Sequence, residues 1–388
     1  MARLSGLKAL PVLDSNGNWT LFVKAFAGKK MGWAIVPAGS SKGAHEARVI
    51  SVSAAVKRVK FLNDKLMNEE LSNIDSLIVR ESGNVATGVS MAVHRLIALV
   101  RGVELFELWG GNTLPRPFLN VINGGVHAGN KLAFQEYMIA PVAKTFRESL
   151  SIGVKVYQAL KEYLISNYGL NSINVGMEGG FAPPISDVEE PLKILTKVID
   201  DLGFSKRVGL GIDAAANQFY DKECYLVNGK RLSPAKLLSL YERLVNDYRL
   251  VSVEDPFQEE DFDNFALLTN LLKGKARVIG DDLLVSNPER VKRAVIRGSC
   301  NSLLLKVNQV GTVSKALESV RRVDDSWSVM VSHRSGDSCD PFISDLTVGI
   351  NAGMIKSGAP ARGERVSKYN RLLEIEELLG KKAVYPKL

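Results

Sequence analysis

Eight apolar, strand-like runs alternate with helical stretches after residue 112, and three of them end in carboxylates, which predicts an α/β protein. The expected architecture is an irregular eight-stranded (β/α) TIM-like barrel over residues 113–388, preceded by an N-terminal α+β capping domain over residues 1–112. The length agrees, because 388 residues exceed one ordinary small domain and suit a barrel plus a smaller unit.

In the first 112 residues, strands are expected at 10–13 and 20–27. They are joined by Asp14-Ser15-Asn16-Gly17-Asn18, a turn rich in residues that tolerate left-handed backbone. A third strand, 32–37, runs into the glycine- and serine-bearing loop 38–43, which contains Ser41. Such a loop, taken alone, reads first as plain surface. Helical stretches follow at 44–73, with interruptions, and at 90–100.

The barrel strands are expected at 118–122, 136–140, 208–213, 250–254, 277–281, 302–306, 328–332 and 353–356. Residues 250–257, Leu-Val-Ser-Val-Glu-Asp-Pro-Phe, show the design most clearly: Pro256 cannot donate to a sheet ladder, so the strand stops and leaves Glu254 and Asp255 at its tip. Continuous apolar runs belong to parallel sheets covered on both faces, and barrel chemistry lies at the C-terminal strand ends. Asp213, Glu254 and Asp281 are therefore expected at one mouth. Any one of them alone also reads as a helix N-cap. Three together repel unless a cation neutralises them, and hard oxygen donors without cysteine or histidine favour Mg²⁺.

Helix punctuation is equally plain. Ser233-Pro234 and Asn287-Pro288 are N-cap and first-turn pairs, and Gly203 and Gly298 stand at C-cap positions. Leu237, Leu240, Tyr241, Leu244 and Tyr248 form a core-packing stripe. Too little helix is expected after the first two barrel strands, which makes the barrel start irregular.

Other strands also end in functional side chains. Lys306 closes a wholly apolar run, where a lysine is costly unless used, and a neighbouring cation and second lysine are expected to lower its pKa so that it can act as a base. His333-Arg334-Ser335 suits phosphate, and Lys356 is the second lysine. Glu136 and Glu178 add two acids, and His127 lies in the glycine-rich stretch 123–129. A single histidine of this kind, taken alone, reads first as a structural one. Together the groups describe one reaction, in which a metal stabilises an enolate-type dianion, a neutral lysine removes a proton beside a carboxylate, and a glutamic acid protonates the leaving group.

Composition excludes several classes. The net charge is +8, but its Lys and Arg are spread along helices without a basic block or interleaved aromatics, so no specific nucleic acid is expected and part of the charge is assigned to steering an anionic substrate. The start has no export-signal pattern, and no run approaches a membrane span, so no membrane partner is expected. Cys224, Cys300 and Cys339 lack metal or redox spacing, which points to a reduced cytoplasm.

These motifs resemble enolases over nearly the whole chain. The resemblance rests on ordered stretches that include 120–129, 135–141, 178–183, 253–257, 303–311 (with Leu-Leu-Leu-Lys-Val-Asn-Gln) and 330–336 (with Val-Ser-His-Arg-Ser-Gly). It implies reversible dehydration of 2-phosphoglycerate to phosphoenolpyruvate with two Mg²⁺ ions. By resemblance, Asp213, Glu254 and Asp281 hold the tighter ion, and Ser41 reaches the second. Lys306 matches the general base, Glu178 the general acid with Glu136 as its partner, and Lys356 the contact to the substrate carboxylate. Arg334 and Ser335 match the phosphate contacts, His127 and His333 the active-site histidines, and a homo-oligomer, most simply a dimer, is implied. Departures cluster in the small domain: two arginines and a proline of the usual start are absent, the lid loop carries Lys42, an insertion after Ala47 is missing, and Met177 replaces an aspartate.

Overall fold

The computed structural model describes residues 2–39 and 43–386, so Ser41 lies outside the described residues. Strands β1 (Gly6–Leu13), β2 (Trp19–Ala27) and β3 (Lys30–Ile35) form an antiparallel meander in that order. The β1–β2 turn is fixed by Asp14, whose Oδ1 accepts from the backbone N–H of Asn16 and of Asn18, both at 2.9 Å. The stretch expected to be helical from residue 44 becomes helix only at Val52–Leu66, where Ser51 caps it by accepting from Ala54 N–H.

The second long helix, Gly83–Arg101, corrects the expectation that no run reaches a membrane span. It is 19 residues long with mean hydropathy 1.3, enough by length and composition. Its most apolar window is 72% buried, and residues such as Val85, Val89 and Leu96 cover the meander, so it is a core helix.

Eight strands close the barrel: β4 (Arg116–Asn123), β5 (Glu136–Pro141), β6 (Val208–Asp213), β10 (Leu250–Glu254), β11 (Arg277–Gly280), β12 (Ser302–Leu305), β13 (Ser328–Ser332) and β14 (Gly353–Lys356). A small antiparallel sheet not anticipated from the sequence, β7 (Tyr220–Asp221), β8 (Cys224–Val227) and β9 (Lys230–Leu232), projects between β6 and β10. Phe118, Met138, Ala140, Ile279, Leu304 and Met330 fill the barrel interior, and the larger apolar core lies between strands and outer helices. The expected caps are present: Ser233 and Asn287 accept first-turn N–H groups, and Gly203 and Gly298 adopt φ of 72° and 63°.

One strand direction departs from the parallel expectation. β5 runs antiparallel to both β4 and β6. Residues 124–135, which join β4 to β5, contain only the 3₁₀ turn Gly125–His127, so no crossover helix is available to return the chain for a parallel strand. After β5, by contrast, comes the 23-residue helix Phe146–Tyr168, so the expectation of too little helix there fails. Reversal has a consequence for the site: Glu136, the first residue of β5, pairs with Asp213, the last residue of β6.

The meander unit is tied to the barrel by buried charge. Arg95 on the helix Gly83–Arg101 makes a two-pronged ion pair with Asp340, which is 2% exposed and also accepts from Ile35 N–H at 2.9 Å. Gly336 allows close approach, since a Cβ there would stand 2.6 Å from Asp14 Oδ2 and 2.7 Å from Ala38 O. Replacing Asp340 with alanine strands the Arg95 charge, so we expect a loss of about 3 kcal/mol in unfolding free energy, measured by denaturant titration.

Candidate active site

The register of the barrel delivers the functional side chains to one rim. Asp213, Glu254 and Lys356 end β6, β10 and β14, while Asp281, Lys306 and His333 follow directly after β11, β12 and β13. Glu136 joins them because β5 is reversed. Glu178 enters from the loop before the helix Glu190–Asp201. A cavity of about 20 Å³ touches His127, Glu136, Glu178, Asp213, Asp281, Lys306, His333, Arg334, Ser335 and Lys356. Of the sequence-expected site residues that are described, only Glu254, fully buried and bonded to Lys356, does not line it; Ser41 lies outside the described residues.

The lysines divide the acids between them. Lys356 Nζ donates to Asp213 Oδ2 at 3.0 Å and to Glu254 Oε1 and Oε2 at 2.8 and 2.9 Å, and lies 3.1 Å from Glu136 Oε1. Lys306 Nζ lies 2.5 Å from Asp281 Oδ2. Among the described residues, ligating atoms within 4.8 Å of one another belong to His127, Glu136 and Glu178, and to Asp255, Asp281 and Asp282. Asp213, Glu254 and Asp281 do not form one such tight group: Lys356 bridges Asp213 and Glu254, while Lys306 holds Asp281.

The expected fall of the Lys306 pKa belongs to the site with its cation; the protein groups alone act the other way. Burial lowers it, as do Arg334 and Lys356, but Asp281 and Glu254 outweigh them and hold the ammonium above its ordinary value. Burial, reinforced by Asp213 and Asp281, pushes Glu254 well above the carboxylate range. Glu136 is pushed the same way by burial and Glu178, and Asp282 reaches about 7 through burial and Asp281. Glu136 Oε2 has no hydrogen-bond partner. Crowded oxygen donors of this kind fit a hard divalent cation, which would relieve both the burial and the repulsion.

Glu178 is the opposite case. Burial raises its pKa, but His127 and His333 outweigh it and keep the carboxyl well below the usual range. The two imidazoles stand 3.5 and 3.4 Å from Oε1, and Asn120 Nδ2 donates to Oε2 at 2.8 Å. Arg365 fixes the His333 tautomer. Its guanidinium can only donate, and its Nη1 stands 2.6 Å from His333 Nδ1, so that nitrogen carries the lone pair and Nε2–H faces Glu178. Burial also pushes the His333 pKa well down, against the upward pull of Glu178.

The supporting roles of several residues escaped the sequence reading. Arg365, fully buried, also donates to the backbone carbonyls of Arg334, Ser335 and Met177, which explains why the side chain at 177 can change without loss of that contact. Gln135 and Gln309 orient Asp213 and Asp281 at 3.2 and 2.9 Å. Asp255, at φ 41°, binds the N–H groups of Asp281 and Asp282 at 2.9 and 2.7 Å and so ties two strand tips together. Glu46 grips Arg334 with both oxygens, at 3.0 and 2.9 Å. Asn120 had a usable signal: an amide in the middle of an apolar buried strand is costly without a dedicated partner.

A closed barrel with acids, lysines and a phosphate-type arginine at one rim is, as a class, an enzyme that works by acid–base chemistry on a small molecule. Comparison with known proteins narrows this. The family model described as the enolase C-terminal TIM barrel domain matches residues 111–387. The enolase of Aeropyrum pernix is 46% identical over 97% of this chain and 94% of its own length. Those of Thermococcus gammatolerans and Methanosarcina acetivorans are 42% and 44% identical over 99% and 100% of this chain, and 96% and 97% of their own. The chain belongs to the enolase family, and its enzyme class is that of a lyase, phosphopyruvate hydratase.

Proposed function

We propose that this protein reversibly dehydrates 2-phosphoglycerate to phosphoenolpyruvate in glycolysis and gluconeogenesis, in the cytoplasm, with Mg²⁺ as its metal. The observation that carries the reading is the joint placement of Lys306, Glu178, Lys356 and Arg334 around one small cavity beside the acid cluster. Asp213, Glu254 and Asp281 would hold one ion and Ser41 would reach a second. The bound ions would supply positive charge against the negative charge that develops on the substrate carboxylate.

Lys306 takes the proton next to the carboxylate. For this it must first give up the proton that its ammonium donates toward Asp281 at 2.5 Å, and that hold would weaken if Asp281 were engaged by a metal. Lys356 binds the substrate carboxylate, and Arg334 and Ser335 bind the phosphate, with Arg334 passing from Glu46 to the substrate. Glu178 delivers a proton to the departing hydroxyl. An anionic substrate beside it raises its pKa against the pull of the imidazoles, and buried Glu136 is the neighbouring proton store. His127 and the Nε2–H of His333 orient Glu178.

In this reading residues 1–112 cap the barrel of residues 113–388. A homodimer is part of it, with exposed Leu13 and Trp19 as surface that association would cover and sedimentation velocity as its measure. The reading is tested by following the ultraviolet absorbance of phosphoenolpyruvate formed from 2-phosphoglycerate. We expect turnover with Mg²⁺ and none with excess chelator; equal rates in both would refute the metal-dependent mechanism.

A further inference from the structure

The opposite end of the barrel, where the parallel strands begin, carries a cavity of about 1080 Å³. Arg116, Lys273, Lys275, Arg277 and Arg297 line it, with Asp324 as its carboxylate. A second cavity of about 400 Å³ shares Arg116 and Lys275 and adds Lys206, Arg207 and Arg249. These basic residues come from five segments, around residues 116, 206–207, 249, 273–277 and 297. The barrel gathers them because Arg116 and Arg277 open β4 and β11, while Arg207 and Arg249 immediately precede β6 and β10.

Three of the cations already have partners: Arg207 with Glu148, Arg249 with Asp200, and Arg297 with Asp263. Arg116, Lys275 and Arg277 instead direct their hydrogen bonds to neutral oxygens. Arg116 is the telling one. It is partly buried, it donates to Ala140 O at 2.5 and 3.2 Å, and burial pushes its pKa down to about 10. Among the described residues no carboxylate pairs with Arg116; a guanidinium withdrawn from water in this way is unfavourable, and an anion in the cavity would relieve that cost. Several cations around one space suit a tetrahedral, multiply charged phosphate better than a monocarboxylate. Trp327, partly buried in the same wall, adds an aromatic face and an optical reporter.

We propose that this cavity binds a small polyphosphate anion, free or as the tail of a nucleotide, through Arg116, Lys275 and Arg277, at the end of the barrel remote from the candidate active site. The proposal does not depend on the catalytic reading.

The test is calorimetric and fluorescence titration of the full chain with sodium tripolyphosphate, without Mg²⁺. We expect saturable binding that quenches or shifts tryptophan emission and weakens about tenfold or more in the triple variant K273E/K275E/R277E. All three positions are exposed, so the charge reversals leave the fold intact, as circular dichroism will verify. Trp327→Phe should keep the heat of binding and lose the emission change. Arg334→Gln, at the other end, should bind normally. Adenosine triphosphate binding more tightly than tripolyphosphate would identify a nucleotide site, and equal binding a polyphosphate site; either supports the proposal. Absence of binding, full binding by the triple variant, loss of binding in Arg334→Gln alone, or an emission change that survives Trp327→Phe would overturn it.

Discussion

Lys306→Ala is expected to lower the rate of phosphoenolpyruvate formation by about 10³-fold or more, the upper part of the range for loss of a positioned general base. The argument is geometric. Lys306 follows directly on β12, inside the same small cavity as Glu178 and Arg334, and it lies 2.5 Å from Asp281. The alternative ammonium, Lys356, is committed to Asp213, Glu254 and Glu136 and cannot substitute. The fold should survive the change, because Asp281 keeps its bond from Gln309 and is only one member of a larger cluster. A thermal melt beside the kinetic assay separates lost chemistry from lost structure. Lys306→Arg should be nearly as inactive, since a guanidinium holds its proton too tightly to act as a base near neutral pH. A folded alanine variant within tenfold of the parent rate would show that another group takes the proton.

The positions of these residues were legible in the sequence to different degrees. Strands such as Val208–Asp213 and Leu250–Glu254 could be placed to the residue, because a buried apolar run ending on a carboxylate or at a proline has few other interpretations. The same apolar run carries no arrow, however. The stretch Glu136–Pro141 reads alike in either direction, and its reversal, set by the connection from β4, brings Glu136 to the rim. Partners distant along the chain were also invisible. Nothing near Lys356 announces that it will neutralise Asp213 and Glu254, and nothing near Lys306 announces Asp281. For this reason the pull of the protein's own groups on the Lys306 pKa could not be signed from the sequence. Local chemistry predicts the cost of burying a lysine, but the sign of the net shift depends on which acid the fold places against it. Supporting donors such as Arg365 and Gln309 fall in the same gap, for their roles exist only once four or five segments converge.

Lys356→Ala is expected to cost about 3–5 kcal/mol of stability in the presence of chelator, the penalty for leaving buried charge without its partner. Its ammonium serves Asp213, Glu254 and Glu136, whose side chains are 4%, 0% and 1% exposed. Solvent cannot take over that role. A divalent cation can, and this gives the prediction its second part. Ligand binding to the folded state stabilises by RT ln(1 + [L]/Kd), about 2.7 kcal/mol at a hundredfold excess over Kd. In the parent protein the cation competes with an internal ammonium for the same carboxylates; in the variant that competitor is gone. Saturating Mg²⁺ should therefore raise the stability of Lys356→Ala more than that of the parent, measured by denaturant unfolding with Mg²⁺ and with chelator. The two readouts also separate two explanations of the site. If the variant matches the parent in chelator, Glu254 and Glu136 are already protonated and need no ammonium, in keeping with the upward push that burial gives both. If the variant is destabilised but Mg²⁺ restores nothing, the carboxylates are ionised yet do not bind the cation, and the metal would have to be sought at Asp255, Asp281 and Asp282 instead.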